Sequence, residues 1–263
     1  MDISVHYNGP PVGTVSLPGD ERLTLLAMAF AAFHRAETLI SGASQSPGVV
    51  SFGGFLADNG TEFTFDDDGV RMTGGQWPES VSIDSRVPDE VAHVVLAGFL
   101  GCGSVVELGS SEPRWGQLTA FASGVLDDAG IVVHDDDGRM TIGSGGNGGA
   151  GDATVTVQSA EALETLAAFM MTARREFPVL CPLSLVSHVF TLLERFGADV
   201  SGEEASGDRE DELARRMARI SGGQSLTVRT VAWNEPGSAE ILIPGDTTLA
   251  AATAVVAALV QKS

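Results

Sequence analysis

Residues 63–73 read FTFDDDGVRMT, and residues 132–142 read VVHDDDGRMTI. Each segment is an alternating run of apolar and polar residues that is interrupted by Asp-Asp-Asp-Gly. An Asp-Gly pair between two alternating runs is typical of a tight turn between antiparallel strands. Both segments are therefore predicted to be β-hairpins, and the shared turn sequence indicates an internal repeat.

A glycine follows a helical pattern just before each hairpin. The sequence Leu-x-x-x-Gly occurs at residues 56–60 and 126–130, and again at residues 193–197, which gives offsets of 70 and 67 residues. Glycine at the C-terminal end of a helix supplies the left-handed residue that releases the chain into the next strand. The pattern predicts that a helix ends at each of these glycines.

Helix starts repeat in the same way. Residues 17–20 read LPGD, residues 87–89 read VPD, and residues 243–246 read IPGD. Pro and Gly end a strand, and Asp is a preferred N-cap residue for the apolar helix that follows. One unit is therefore predicted to consist of a strand, a helix, a second strand, a second helix and a hairpin.

Applied to the whole chain, this pattern predicts an α/β (α+β) fold built from repeated units of about 70 residues. The predicted units cover residues 12–75, 80–146 and 153–202, and a fourth, partial unit covers residues 226–263. The fourth unit is expected to stop after its first helix.

Two segments interrupt the repeat. Residues 143–151 (GSGGNGGAG) have the composition of a flexible linker. Residues 201–221 are dense in Asp, Glu and Arg and are predicted to form a solvated loop or a surface helix. The linker is the predicted boundary between an N-terminal lobe of two units, residues 1–146, and a C-terminal lobe of one unit and a partial unit, residues 147–263.

The charge of the chain limits its partners. It has 35 acidic and 15 basic residues, a formal net charge of −20, and Lys262 is its only lysine. Such a charge repels nucleic-acid phosphates and anionic membrane surfaces at long range. Neither nucleic acid nor a membrane is an expected partner, and fixed positive charge must come almost entirely from arginine.

Other composition features favour a cytoplasmic protein without a cofactor. The N-terminus lacks a basic start and an apolar segment of signal-peptide length. Residues 247–260 are apolar but too short to cross a bilayer. Cys102 and Cys181 lack Cys-x-x-Cys spacing, and the five histidines lack metal-ligand spacing. No metal site and no cofactor is therefore predicted.

Several of these segments resemble one family. Residues 13–33 (GTVSLPGDERLTLLAMAFAAF) resemble the opening of the enolpyruvyl transferases, the family of 5-enolpyruvylshikimate-3-phosphate synthase, where a strand runs through Leu-Pro-Gly-Ser-Lys-Ser into an apolar helix. Residues 160–170 (AEALETLAAFM) resemble its Asp-x-x-Pro-x-Leu-Ala helix, and residues 237–259 resemble its closing unit. The order of these units along the chain is more specific than any single motif.

The resemblance implies a two-lobed inside-out α/β barrel, in which the family has six units. A chain with room for about four units is expected to lack two of them. An incomplete lobe would leave helix faces uncovered, which favours a homo-oligomer or a partner chain that completes the lobes.

The resemblance also implies where a site lies. In the family, phosphoenolpyruvate and a phosphorylated alcohol bind between the lobes, held by lysines, arginines and helix N-termini. The family's Ser-Lys-Ser aligns with Asp20, Glu21 and Arg22, and its following serine aligns with Thr24. Glu21 thus replaces an ammonium group, and a charge reversal about 4 Å from a substrate anion changes the interaction by roughly 8 kcal/mol at an effective dielectric near 20.

The later motifs also lose positive charge relative to the family. The family's Ser-Ser-Gln position reads Asp89-Glu90 here, and its Gly-Asp-His-Arg position keeps Asp246 but has Thr247 and Thr248 in place of His and Arg. Its Lys-Glu-Ser-Asp-Arg position falls within residues 181–185, which carry no charge. Asp89, Glu90, Asp246, Thr247 and Thr248 are therefore candidate ligand contacts. The positively charged residues of the family's motifs are largely replaced.

Three further residues, Glu161, Arg86 and Arg114, complete the candidate site. The resemblance aligns Glu161 with the family's catalytic aspartate, and the alternative is a solvated carboxylate favoured by the helix dipole. Arg22, Arg86 and Arg114 lie near two helix starts and could together bind a carboxylate or phosphate. The alternative for these arginines is an ordinary surface position.

Three functions follow as hypotheses. The first is a divergent family member that no longer runs the parent reaction and binds a small polar or anionic metabolite or a partner. The second is a working transferase or lyase that uses Glu161 as its acid–base group on an altered anionic substrate. The third is a scaffold or regulatory subunit that pairs with another chain.

Overall fold

The described part of the chain forms three copies of one α/β unit and one additional strand. The computed structural model describes residues 18–66, 69–108, 113–142, 154–176, 178–182, 186–204, 226–233 and 237–246. The predicted α/β (α+β) class is confirmed.

The second and third units have the same order of elements, and the described part of the first unit follows that order from its first helix onward. The first contains α1 (Glu21–Phe33), β1 (Glu37–Ser41), α2 (Pro47–Asp58), β2 (Glu62–Asp66) and β3 (Gly69–Thr73). The second contains β4 (Ser80–Ile83), α3 (Asp89–Gly101), β5 (Val105–Leu108), α4 (Pro113–Asp128), β6 (Val133–Asp136) and β7 (Arg139–Ile142). The third contains β8 (Val155–Thr156), α5 (Ala160–Ala173), β9 (Pro178–Pro182), α6 (Val186–Arg195), β10 (Ala198–Glu204) and β11 (Leu226–Trp233), and β12 (Ala239–Leu242) follows it.

Among the described residues, each unit contributes to a four-stranded sheet, and the three sheets have the same topology. The strand orders are β12-β1-β3-β2, β4-β5-β7-β6 and β8-β9-β11-β10. In each sheet the first two strands are parallel and the other pairs are antiparallel. The hairpins predicted over residues 63–73 and 132–142 are β2–β3 and β6–β7, so both predictions are confirmed.

The prediction of a fourth unit that begins at residue 226 was wrong. Residues 226–233 form β11, which pairs with β10 as the hairpin of the third unit. The third unit therefore extends to residue 233 and does not end at residue 202. The sequence hid this hairpin because residues 205–225 separate its strands, and no short Asp-Gly turn marks it.

The first sheet is completed by the strand that is last in the sequence. β12 pairs parallel with β1, with Thr38 opposite Ala239, in the place that β4 and β8 occupy in their own sheets. Next to it, Gly19 bridges Gly245, so the two Pro-Gly-Asp segments lie side by side. The strand predicted at the start of the first unit falls within residues 12–17, outside the described residues.

Capping side chains set the starts of α1, α2 and α5. The Asp20 carboxylate accepts from the backbone N–H of Leu23 (2.9 Å), and the Ser159 hydroxyl accepts from that of Ala162 (3.1 Å), as N-cap residues do. For α3 the predicted cap was wrong by one residue. Pro88 is the N-cap there, without a side-chain bond, and Asp89 is the first helical residue.

The predicted helix ends are confirmed. Gly60, Gly130 and Gly197 have φ of 94°, 73° and 85°, the left-handed conformation that a residue with a Cβ adopts at a cost.

The first helices of the three units form the centre of the molecule. Residues 24–33 of α1, 91–100 of α3 and 163–172 of α5 are all buried, which is typical of a helix surrounded on every side. A Cβ on Gly98 would meet the ring of Phe33 in α1, and one on Gly101 would meet the hydroxyl of Thr172 in α5. Glycine therefore permits α3 to pack closely against both neighbours.

One buried apolar cluster contains residues of all three units and of β12. The lobe boundary predicted at residues 143–151 stays a prediction, since this whole segment lies outside the described residues. Within the described ranges, no helix combines the length and the apolar character that crossing a membrane requires.

Candidate functional site

One side chain from each central helix meets the others at a single point. The carboxylate of Glu164 in α5 is fully buried. Its Oε1 lies 3.0 Å from Nη2 of Arg22 in α1, and its Oε2 lies 3.1 Å from Nε2 of His93 in α3. All three residues belong to the first two turns of their helices, so the N-terminal ends of α1, α3 and α5 lie together at one end of the molecule.

The chemistry of Glu164 fixes the direction of these hydrogen bonds. An ionised carboxylate only accepts, so Arg22 and His93 are both donors to it. A buried carboxylate requires such partners because desolvation otherwise costs several kcal/mol. The arrangement leaves Nδ1 of His93 without a hydrogen-bond partner among the residues that the structure describes.

A cavity of about 380 Å³ lies beside this cluster, between α3, α4 and α5. His93 lines it, together with the carboxylates of Asp89 and Glu161. Trp115 and Phe121 of α4 form its aromatic wall, and the ring of Phe121 meets that of His93 edge to face, with centroids 6.1 Å apart. Two residues that the sequence singled out, Asp89 and Glu161, are therefore brought to one cavity.

The first group of candidate residues has structural partners. Besides capping α1 with its side chain, Asp20 accepts through its backbone oxygen from the hydroxyl of Thr24 (2.8 Å). That hydroxyl is buried and accepts in turn from the N–H of Ser44 (3.0 Å). Glu21 accepts from the hydroxyl of Ser46 (2.7 Å), the N-cap of α2. These contacts hold the start of α1 against the start of α2.

Arg86 lies at a different place from Arg22. Its guanidinium donates to Asp84, with Nη2 2.8 Å from Oδ2, and this contact lowers the pKa of the Asp84 carboxyl. Nη1 of the same guanidinium donates to Asp58. Asp58 is the last residue of α2, and the first turn of α2 contacts Glu21. Twelve helical residues separate these ends by about 18 Å, so Arg22 and Arg86 do not share one anion.

The remaining candidates have less defined surroundings. Glu90 is exposed in the first turn of α3. The N–H of Asp246 donates to the backbone oxygen of Pro18 (3.0 Å), which places Asp246 next to Asp20. Thr247, Thr248 and the side chain of Arg114 lie outside what the structure describes.

The sequence did not identify His93 and Glu164 as a pair. They are 71 residues apart. The only signal is that each is the one titratable residue in a largely apolar run, residues 91–100 for His93 and residues 162–173 for Glu164. A titratable residue on a helix that is buried all round must find a polar partner. That rule applied to both runs would have predicted a contact between the two helices.

Within the described ranges, no three His, Cys, Asp or Glu side chains lie close enough together to hold a metal ion. Cys102 and Cys181 are not joined in a disulfide.

Comparisons with known proteins identify the fold. No protein-family model and no curated protein matches the sequence. Among solved structures, the chain is similar to EPSP synthase from Acinetobacter baumannii, with a TM-score of 0.60 and 17% sequence identity over 91% of this chain and 51% of that chain. It is also similar to the enolpyruvyl transferase NikO from Streptomyces tendae, with a TM-score of 0.55 and 14% identity over 92% of this chain and 54% of that chain.

The chain thus spans about half the length of the solved structures that it matches. Three repeated units, three buried helices at the centre and sheets outside them agree with this similarity. The chain has the inside-out α/β fold of the enolpyruvyl transferases.

Proposed function

We propose that this chain is a divergent relative of 5-enolpyruvylshikimate-3-phosphate synthase that binds a small polar ligand at the end where α1, α3 and α5 begin. In this proposal it does not transfer an enolpyruvyl group. The observation that carries the proposal is the pair between Arg22 and the buried Glu164.

The pair removes the positive charge that a phosphate would need. To bind a phosphate strongly, Arg22 would have to give up the hydrogen bonds that it donates to the buried carboxylate of Glu164. Because the Arg22 side chain is 40% exposed, breaking this pair costs about 2 kcal/mol, less than the loss of a fully buried pair. This cost would cancel much of the energy that one arginine–phosphate contact supplies.

Carboxylates also occupy the helix starts. Asp20 caps α1, Glu21 lies in its first turn, and Asp89 and Glu90 lie in the first turn of α3. Glu161 has the same position in α5. The positive ends of the helix dipoles are thereby already compensated by the protein's own anions, so a second anion gains little from them.

Calorimetric titration with shikimate 3-phosphate, alone and then with phosphoenolpyruvate, tests the proposal. At low and at moderate salt we expect no binding up to millimolar concentration and no release of phosphate from the mixture. Micromolar binding that weakens as salt is raised would show that the arginines do form an anion site, and it would overturn the proposal.

A second candidate is a transferase or lyase acting on an altered substrate. It is favoured by Glu161, which is exposed and lines the same cavity as His93. A general acid–base pair needs two titratable groups at one substrate site, which this cavity offers. If a turnover is found, Glu161→Gln should abolish it, whereas unchanged turnover would remove Glu161 from the mechanism.

A further inference from the structure

The cavity between α3, α4 and α5 has a lining that suits a cation. Its described charged side chains are the carboxylates of Asp89 and Glu161, and no Arg or Lys is among its described lining residues. Glu161 makes no side-chain hydrogen bond or ion pair within the described ranges. The carboxylate of Glu161 would therefore repel an anion in this cavity and attract an ammonium group. Asp89, which has a partner of its own, adds a second negative charge to the same lining.

Its other wall suits the apolar body of such a ligand. Trp115 is 6% exposed, and Phe121 lies across the cavity's edge at 37% exposure. Indole and phenyl faces attract cations as well as apolar groups, and Trp is the strongest of the aromatic side chains in this respect. A cavity of about 380 Å³ lies near the small end of the range for ligand pockets.

His93 supplies an observation independent of these charges. Its side chain is only 6% exposed, and Glu164 fixes Nε2 as a donor into the protein interior. In the neutral ring Nδ1 is then an acceptor, held in place by the same contact. Because His93 lines the cavity and Nε2 is occupied, Nδ1 is the ring nitrogen that remains for a ligand.

We propose that this cavity binds a small organic ammonium compound. Its ammonium group lies beside Asp89 and Glu161, and its apolar or aromatic body packs on Trp115 and Phe121. A hydroxyl or amine of the ligand donates to Nδ1 of His93. This assignment deepens the proposed function, because it names the ligand class of the same end of the molecule.

Three probes of one shape separate the elements of this proposal. Tyramine carries an ammonium group and a phenol donor, phenethylamine lacks the donor, and 3-(4-hydroxyphenyl)propionate replaces the ammonium group by a carboxylate. Titrated into the full chain, tyramine should bind with a dissociation constant on the order of 0.1 mM, as expected for so small a ligand. Phenethylamine should bind about fivefold more weakly, because it lacks one hydrogen bond, and the propionate should not bind.

Variants then locate the site. Glu161→Gln and Asp89→Asn should each weaken tyramine binding by about fivefold. Glu62→Gln, which removes an exposed carboxylate on β2, should leave it unchanged. His93→Gln retains a donor near the position of Nε2, and hence the contact with Glu164, but removes Nδ1. In this variant tyramine and phenethylamine should bind equally.

Three outcomes overturn the proposal: propionate binding as tightly as tyramine, Glu161→Gln behaving as Glu62→Gln does, or no binding of any probe at millimolar concentration. Tight binding of the propionate would also indicate a positively charged side chain near the cavity that is not among its described lining residues. Arg114, which precedes Trp115 in the sequence, would be a candidate. Because shikimate 3-phosphate is titrated separately, failure of this ligand assignment and failure of the proposed function give different results.

Discussion

Arg22 in α1 donates to Glu164 in α5, although the two residues are 142 positions apart in the sequence. The arginine side chain is 40% exposed and the carboxylate is fully buried. The pair therefore joins the protein interior to its surface at the end where the three central helices begin.

A double-mutant cycle on this pair should show strong coupling. We expect Arg22→Met and Glu164→Gln each to lower the free energy of unfolding by about 2 kcal/mol, less than for a fully buried pair because water partly compensates on the Arg22 side. The double variant should lose at least about 1 kcal/mol less than the sum, since the second change no longer leaves a partner unpaired. Urea denaturation of the four proteins measures each value.

Arg71 and Glu37 provide the matched control. They lie 2.8 Å apart, but their side chains are 40% and 55% exposed. The corresponding cycle with Arg71→Met and Glu37→Gln should give a coupling energy below about 0.5 kcal/mol. Equal coupling energies in the two cycles would contradict the view that burial of Glu164 increases the contribution of its pair to stability.

Close packing of the central helices predicts opposite effects for two glycines. Gly101→Ala should destabilise the protein by about 1–3 kcal/mol, because its Cβ would meet Thr172 and the backbone of Phe169 in α5. Gly124 in α4 has no atom within contact distance of such a Cβ. Gly124→Ala should therefore raise the melting temperature, by a gain of about 0.5–1 kcal/mol in helix propensity. Destabilisation by both changes would indicate that contact with α5 is not the cause at Gly101.

The repeat was visible in the sequence because its signals are local. The Asp-Gly turns, the glycines at helix ends and the Pro-Gly-Asp helix starts each depend on a few adjacent residues, and φ values such as 94° at Gly60 confirm the predicted helix ends. The hairpin of the third unit was missed because its strands are separated by residues 205–225. The sheet that β12 joins could not be predicted. The three sheets are similar, and no local sequence signal indicates which of them a strand near the end of the sequence pairs with.

The residues that meet at this end of the molecule were predicted only in part, for the same reason. Glu161 and Asp89 lie at helix starts, which local signals mark, and the structure places both at one cavity. His93 and Glu164 could not be identified from local signals, because what distinguishes them is their contact between α3 and α5. Charge composition alone could not show that Arg22 is already bound by a carboxylate of the same protein.

The two cysteines should be inert in the folded protein. Burial raises the pKa of the Cys102 thiol to about 12, an effect partly offset by its hydrogen bond with Thr172, and Cys181 is fully buried. Since only the thiolate reacts, a chromogenic disulfide reagent at pH 8 should label neither thiol rapidly, whereas the chain in urea should react at both. A variant with cysteine at the exposed Ser85 should react at once in the folded state. Rapid labelling of the unmodified folded chain would contradict this prediction.

His34 should make the protein less stable in mild acid. Burial lowers the pKa of His34, the charge of Arg174 acts in the same direction, and Nε2 of the ring has no hydrogen-bond partner among the described residues. In the unfolded chain the pKa is about 6.5. As the pH falls below this value, the unfolded state takes up a proton that the folded state does not, so the free energy of unfolding decreases by at most about 1.4 kcal/mol per pH unit. The decrease ends when the pH reaches the lowered pKa of the folded state.

Replacement of this histidine isolates its contribution. His34→Phe keeps a ring against Phe196, whose centroid lies 5.2 Å from that of His34, but it cannot take up a proton. Between pH 7 and about pH 5.5, where few carboxylates titrate, its free energy of unfolding should vary less than that of the unmodified protein.

His134→Gln, which removes an exposed histidine on β6, should keep the original pH dependence. Urea denaturation at several pH values measures all three proteins. Parallel curves for His34→Phe and the unmodified chain would show that proton uptake on unfolding occurs elsewhere, because a group that cannot titrate cannot contribute to the slope.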